Sequence, residues 1–108
     1  MTTEQLMAAE RYIKSCENDY FTGSFNESYI RNDLQTRKAS DTYSTMGSSG
    51  RQTNHLSQKK QFYYDDFDNT EGTVDGLLRT LPKTHALFSR CEKLKKELTK
   101  LRELVRNF

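Results

Sequence analysis

The chain has 108 residues, of which 33% are hydrophobic and 30% are charged, and its formal net charge is +2. This length allows one domain at most. The low share of large apolar residues is close to that of disordered chains, but the small net charge lacks the self-repulsion of many such chains. We therefore predict a mostly α protein, in which local helices are joined by unfolded segments.

Sequence features of secretion, membrane insertion and catalysis are missing. The first residues have neither the basic start nor the apolar run of a signal peptide, and no window approaches 18 apolar residues. Cys16 and Cys91 lie far apart in the sequence, and no histidine stands at zinc-ligand spacing from either of them. We therefore expect a cytoplasmic or nuclear protein with no transmembrane segment, no catalytic residue, no cofactor and no metal site.

Residues 1–37 form a predicted N-terminal helical segment. Over residues 3–18, apolar side chains recur in steps of three and four, which is the spacing of an amphipathic helix. Thr2 stands where it can cap this helix, with Gln5 in the reciprocal position three residues later. We expect a second contact helix, for a partner or for the C-terminal helix, through the apolar residues Leu6, Ile13 and Cys16.

A weaker helix is predicted over residues 25–36. Ser24 and Glu27 fit the capping box that starts many helices, and apolar side chains then follow at roughly helical spacing. Asn32 and Asp33 are mediocre helix formers, so we expect this helix to be short.

Residues 38–61 are predicted to be a disordered polar linker. They hold too few apolar groups to offset an ordering entropy of about 1–2 kcal/mol per residue. The linker begins within the pattern Arg37-Lys38-Ala39-Ser40, which resembles the substrates of basophilic kinases. Ser40 is therefore a candidate phosphorylation site, where a phosphate group would add nearly two negative charges beside a basic pair.

Residues 62–80 are predicted to be an acidic-aromatic segment that ends in a short helix over residues 73–80. Asp66 and Asp68 resemble the start of a calcium loop, but Glu71 stands where that loop requires glycine. A docking motif and a solvated approach to the next helix fit this composition equally well. The aromatic residues of the candidate docking motif are Phe62, Tyr63, Tyr64 and Phe67.

Residues 81–108 carry the strongest pattern in the sequence. Apolar residues recur there in alternating steps of four and three, which is the heptad spacing of a coiled coil. Pro82 suits the first turn of a helix, so we place the helix start near residues 80–82. Without a partner to cover its apolar stripe, this helix should be partly melted. The predicted coiled-coil interface consists of Leu87, Cys91, Leu94, Leu98, Leu101, Val105 and Phe108.

The charges beside this stripe leave the number and identity of the strands open. Glu97 and Arg102 would attract each other in a parallel homodimer, whereas Arg90 and Lys95 would repel each other. We therefore expect a protein partner in a coiled coil or a helical bundle, as a homo- or hetero-oligomer.

The residues before the heptad are acidic, which argues against a leucine-zipper DNA-binding protein and makes nucleic acid a disfavoured partner. We predict a small non-enzymatic adaptor or subunit of a larger intracellular assembly that acts through helix–helix interaction. One alternative is a regulatory protein that binds an enzyme or the transcription machinery through residues 62–72. The other is a binder of nucleic acid or an anionic membrane through a basic face of Lys93, Lys96, Lys100 and Arg106.

Overall fold

A computed structural model describes the backbone of residues 1–47 and 55–108 and the side chains of residues 1–41 and 55–108. This part of the chain contains four α-helices, a π-helical turn and no strand, so the predicted mostly α fold is confirmed. The π-helical turn, Asn18–Thr22, follows the first helix. The four helices are α1 (Thr3–Glu17), α2 (Glu27–Gly47), α3 (His55–Thr80) and α4 (Ala86–Arg106).

The start of α1 is the predicted one. The Thr2 hydroxyl accepts a hydrogen bond from the Gln5 backbone N–H at 3.2 Å, and the Gln5 side chain accepts one from the Thr2 backbone N–H at 2.8 Å. This reciprocal capping box satisfies two donors that the helix itself leaves unpaired. The helix predicted over residues 3–18 is therefore confirmed, and it ends one residue earlier than predicted, at Glu17.

The turn between α1 and α2 depends on Gly23. A Cβ atom on this residue would lie 2.8 Å from the backbone carbonyl oxygen of Asn18. Because backbone atoms cannot move aside as a flexible side chain can, the chain can turn this tightly only at a glycine. The π-helical turn before it leaves Tyr20 buried in the core.

The predicted capping box of Ser24 and Glu27 is wrong. The Asn26 side-chain oxygen instead accepts a hydrogen bond from the Tyr29 backbone N–H at 2.8 Å. The cap therefore comes two residues later than predicted, and α2 begins at Glu27 and runs well past the predicted end.

The predicted linker over residues 38–61 is helical at both of its ends, because α2 and α3 extend into it. Contacts of Asp41 account for the helix at the C-terminal end of the predicted linker. The Asp41 carboxylate accepts the backbone N–H groups of His55 and Leu56 at 3.0 and 2.8 Å, so a residue of α2 caps α3. The central part of the predicted linker, residues 48–54, lies outside the described residues.

The acidic-aromatic segment is part of one continuous helix, so the prediction of a separate short helix over residues 73–80 is wrong. Gly72 and Gly76 each lower helix propensity by about 1 kcal/mol, which suggested a break. Phe67 and Val74 are fully buried on the same helix. Their burial outweighs the cost of the glycines.

The last helix starts later than predicted, at Ala86 rather than near residues 80–82. The Pro82 carbonyl accepts a hydrogen bond from the His85 backbone N–H at 3.0 Å, which forms a turn between α3 and α4. The His85 ring nitrogen Nδ1 then accepts the Leu87 backbone N–H at 3.1 Å and caps α4.

Contacts with α3 fix the directions of the other helices. Tyr20 contacts Thr70, whereas Asp33, further along the chain, contacts Tyr63. The first two helices, with the turn between them, therefore follow one direction along the bundle, antiparallel to α3. The ion pairs between α3 and α4 show that these two helices are antiparallel as well. Asp75 pairs with Lys95, and the earlier α3 residue Asp68 pairs with the later α4 residue Arg102. The result is an up-down-up bundle, about 60 × 20 × 19 Å.

The apolar stripe of α4 is covered by helices of the same chain. Six of its seven predicted interface residues are at most 4% exposed, and Phe108 is partly buried. The stripe belongs to one core that also contains Ile13, Ile30 and Phe67. Burial of this stripe is therefore explained within one chain, and an intermolecular coiled coil through it is not confirmed.

Candidate functional site

A groove of about 690 Å³ runs between α1 and the C-terminal half of α3. Its walls are mostly apolar or small, and its polar groups are hydroxyls and one amide. The groove is open to solvent, and exposed apolar surface of this kind marks interaction sites in many proteins. The α1 wall is formed by Gln5, Ala8, Ala9 and Tyr12 together with Met1, which precedes the helix, and the α3 wall by Thr73, Leu77 and Thr80.

The α1 wall is held in place by the buried face of the same helix. Ile13 and Cys16 are buried and Leu6 is partly buried, so the predicted second contact helix packs on its own chain. At the end of α1, Arg90 donates to the Glu17 carboxylate, with an Nε–Oε2 distance of 3.0 Å. This hydrogen bond holds the pKa of Glu17 below its ordinary value and ties α1 to α4.

A polar network, which is buried at Tyr20 and Thr70, joins the π-helical turn after α1 to α3. The Tyr20 hydroxyl donates to the Asp66 carboxylate and lies 2.8 Å from the Thr70 hydroxyl oxygen. Burial raises the pKa of Asp66 and that of Tyr20. These groups satisfy one another, so the network fixes the position of α3 against the end of α1.

Both cysteines are buried as free thiols. Burial raises the pKa of the Cys91 thiol to about 11 and also raises that of Cys16. At neutral pH both therefore remain protonated, the form that is a poor nucleophile and metal ligand.

The predicted docking aromatics do not share one surface. Tyr63 and Phe67 are buried in the core, and the Tyr63 hydroxyl donates to the Asp33 carboxylate at 2.6 Å. Tyr64 is partly buried, whereas Phe62 is 49% exposed. A partner could reach Tyr63 and Phe67 only if α3 left the bundle.

Ser40, the candidate phosphorylation site, is exposed on α2. It lines a polar depression of about 310 Å³ together with Arg37 and His55. Arg37 donates to Asp33 with an Nε–Oδ1 distance of 3.1 Å, so a phosphate on Ser40 would compete for this guanidinium. Phosphorylation of Ser40 stays a prediction.

The predicted basic face is largely engaged within the chain. Three of its four cations contact groups of their own chain, which weakens the attraction that they could offer to an external phosphate. These contacts are Lys93 over the Phe21 ring, Lys100 with Glu27 at 2.9 Å and Arg106 with Glu103.

The described residues also lack a metal-binding cluster and a membrane-spanning helix. Over residues 1–41 and 55–108, no group of three or more His, Cys, Asp or Glu side chains is arranged to hold a metal ion. Among the four described helices, none combines the length and apolar character needed to cross a bilayer.

The groove was missed by the sequence analysis because its walls come from distant parts of the chain. Ala8 and Thr73 line the same groove only because the fold places α1 alongside α3. The small side chains of Ala8 on α1 and Thr73 on α3 give no local signal of a groove, because alanine is common in helices of every kind.

Compared with known proteins, the chain matches no family model, no curated protein and no solved structure. Its function is therefore argued from the geometry of the groove.

Proposed function

We propose that this protein is a small non-enzymatic adaptor or assembly subunit, and that the α1–α3 groove binds an amphipathic helix of a protein partner. The observation that carries this proposal is the groove itself, a mostly apolar cleft beside a core that is already closed. Amphipathic helices bind in such clefts by burying one apolar face.

The position and lining of the groove favour a helix as the bound element. It follows two neighbouring helices, so a further helix along it would complete a four-helix arrangement. Ala8 and Thr73, on opposite walls, are small enough for the backbone of that helix to come close.

The C-terminal stripe is a less favourable contact surface than the groove. Leu94, Leu98 and Leu101 are fully buried. Exposing them to another chain would cost about 1.5–3 kcal/mol for each side chain before any new contact formed. The proposal therefore keeps the predicted helix–helix interaction and moves it from α4 to α1 and α3.

The same proposal places the protein in the cytoplasm or the nucleus. Its two cysteines are free thiols, which the reducing agents of those compartments maintain.

The proposal is tested with a photo-crosslinking amino acid at Ala8 in the full chain, in its own cells. Lys14, which is exposed on another side of α1, is the control position. We expect a discrete adduct from Ala8 only, linked to a segment whose apolar residues recur at helical spacing. Thr73→Arg, on the opposite wall, should abolish that adduct, whereas Thr99→Arg on α4 should not. Equal adducts from both positions, or a linked segment without a helical apolar face, would contradict the proposal.

A further inference from the structure

We infer that the helix bound in the α1–α3 groove is α1 of a second copy of this chain, so that two chains form a symmetric dimer. This inference rests on the proposed function of the groove as a helix-binding surface. It is drawn from the charges and small residues that surround the groove.

One exposed face of α1 is complementary to itself. Glu4, Ala8 and Arg11 stand four and three residues apart, which places them on the same side of the helix, and all three are exposed. Ala8 also lines the groove. The face therefore has an acid at one end, a base at the other and a small residue between them.

Antiparallel pairing of two such faces brings opposite charges together. With the two-fold axis between residues 7 and 8, Glu4 of one copy lies opposite Arg11 of the other, and the same pair forms again across the axis. Ala8 then sits beside the axis, where the two backbones come closest. A two-fold dimer requires this kind of self-complementary surface.

These two charges are available for such a contact. In the described part of the chain, the side chains of Glu4 and Arg11 take part in no ion pair. Three cations of α4, by contrast, form ion pairs with α2 or α3: Lys95, Lys100 and Arg102. Glu4 and Arg11 directly precede Gln5 and Tyr12, which line the groove. Opposite charges that are unpaired on this helix favour a partner with the reverse arrangement, which α1 itself offers.

The α3 wall leaves room for the second α1 helix. Gly76 lies on the same face as Thr73 and Thr80, which line the groove. A Cβ atom on Gly76 would meet nothing within 4 Å, so the packing of this chain does not require glycine there. The missing side chain instead allows another helix to approach the α3 backbone closely.

The test is the molar mass of the full chain by light scattering and sedimentation over a range of concentrations. The wild type should approach twice the chain mass of 12.7 kDa. Glu4→Arg and Arg11→Glu should each turn two attractive pairs into two repulsive ones and raise the dissociation constant by about tenfold or more. An equimolar mixture of the two variants should associate again, because both pairs are then attractive, and the double variant should recover the homodimer.

Glu10→Arg is the matched control, because it makes the same charge change on the side of α1 that faces α4. It should keep the wild-type mass, and circular dichroism should show that all variants remain helical. A wild type that stays monomeric, variants that dimerise as the wild type does, or a mixture that fails to associate would each overturn the inference. In those cases an adduct from Ala8 to a different protein would still support the helix-binding groove, whereas its absence would refute the groove as well.

Discussion

At the scale of single residues, Asp66 shows how burial makes stability depend on pH. Its carboxylate accepts the Tyr20 hydroxyl, and burial raises its pKa above the ordinary value of 3.8. The folded chain therefore binds this proton more tightly than the unfolded chain does. The resulting stability is fully present below pH 3.8 and is lost as the pH rises through the raised pKa of Asp66.

We predict that Asp66→Asn raises the free energy of unfolding at neutral pH. Asparagine keeps an oxygen that can accept the Tyr20 hydroxyl, but it has no charge to desolvate. The decline of stability above about pH 4 should also become shallower, because the group that titrates there is gone. Urea unfolding at pH 4, 5, 6 and 7 measures both effects.

The control for this prediction is Asp65→Asn, the same change at an exposed neighbouring position. It should leave the difference in stability between pH 4 and pH 7 as it is in the wild type. If Asp66→Asn instead lowered stability at pH 7, the charge of Asp66 would be a stabilising one, and the account of its burial would be wrong.

At the scale of helices, the glycines of α3 and of the α1–α2 turn should respond in opposite ways to the same substitution. A Cβ atom on Gly72 would meet nothing within 4 Å. We predict that Gly72→Ala raises the free energy of unfolding by about 0.5–1 kcal/mol, because alanine favours the helix. Gly23→Ala should lower it, because its Cβ atom would lie 2.8 Å from the Asn18 carbonyl oxygen. Thermal and urea unfolding of both variants measure the difference.

Equal effects of these two substitutions would contradict this account of the turn. If Gly23→Ala were as stable as the wild type, the turn would be loose enough to admit a side chain. If Gly72→Ala were destabilising, some contact of α3 would need the open space beside that residue.

Helix positions were predictable from the sequence where the determining contacts are local. The α1 start follows from Thr2 and Gln5, which are three residues apart. The end of α2 and the start of α3 were not predictable, because Asp41 caps α3 from another helix and the residues around it are small and polar. Helix propensity likewise gave the wrong prediction of a break near Gly72, because burial of neighbouring apolar residues decides the conformation there.

The buried face of α4 was predicted, but its partner was not. The spacing of Leu94 and Leu98 indicates that one side of the helix is covered, and it is the same for a partner in another chain or in the same chain. The groove is harder still to predict. Ala8 and Thr73 have no sequence pattern in common, and only the fold, which places α1 alongside α3, brings them to the same groove.

At the scale of the whole molecule, charge and burial both favour a bundle closed within one chain. Acidic groups of α3 meet basic groups of α4, as in the Asp75–Lys95 pair at 2.8 Å. α2 joins α4 through Glu27 and Lys100 at 2.9 Å. The helices cover the α4 stripe from within the same chain and leave the α1–α3 groove open.

That claim is tested most directly by zero-length carbodiimide crosslinking of a mixture of ¹⁵N-labelled and unlabelled chains that have been unfolded and refolded together. The Asp75 carboxylate and the Lys95 amine are close enough to be joined directly. We predict that the linked α3–α4 peptides are either fully labelled or fully unlabelled, because both ends come from one chain. If about half of the linked peptides instead carried one labelled and one unlabelled end, α4 would be pairing with another chain, and the closed bundle would be contradicted.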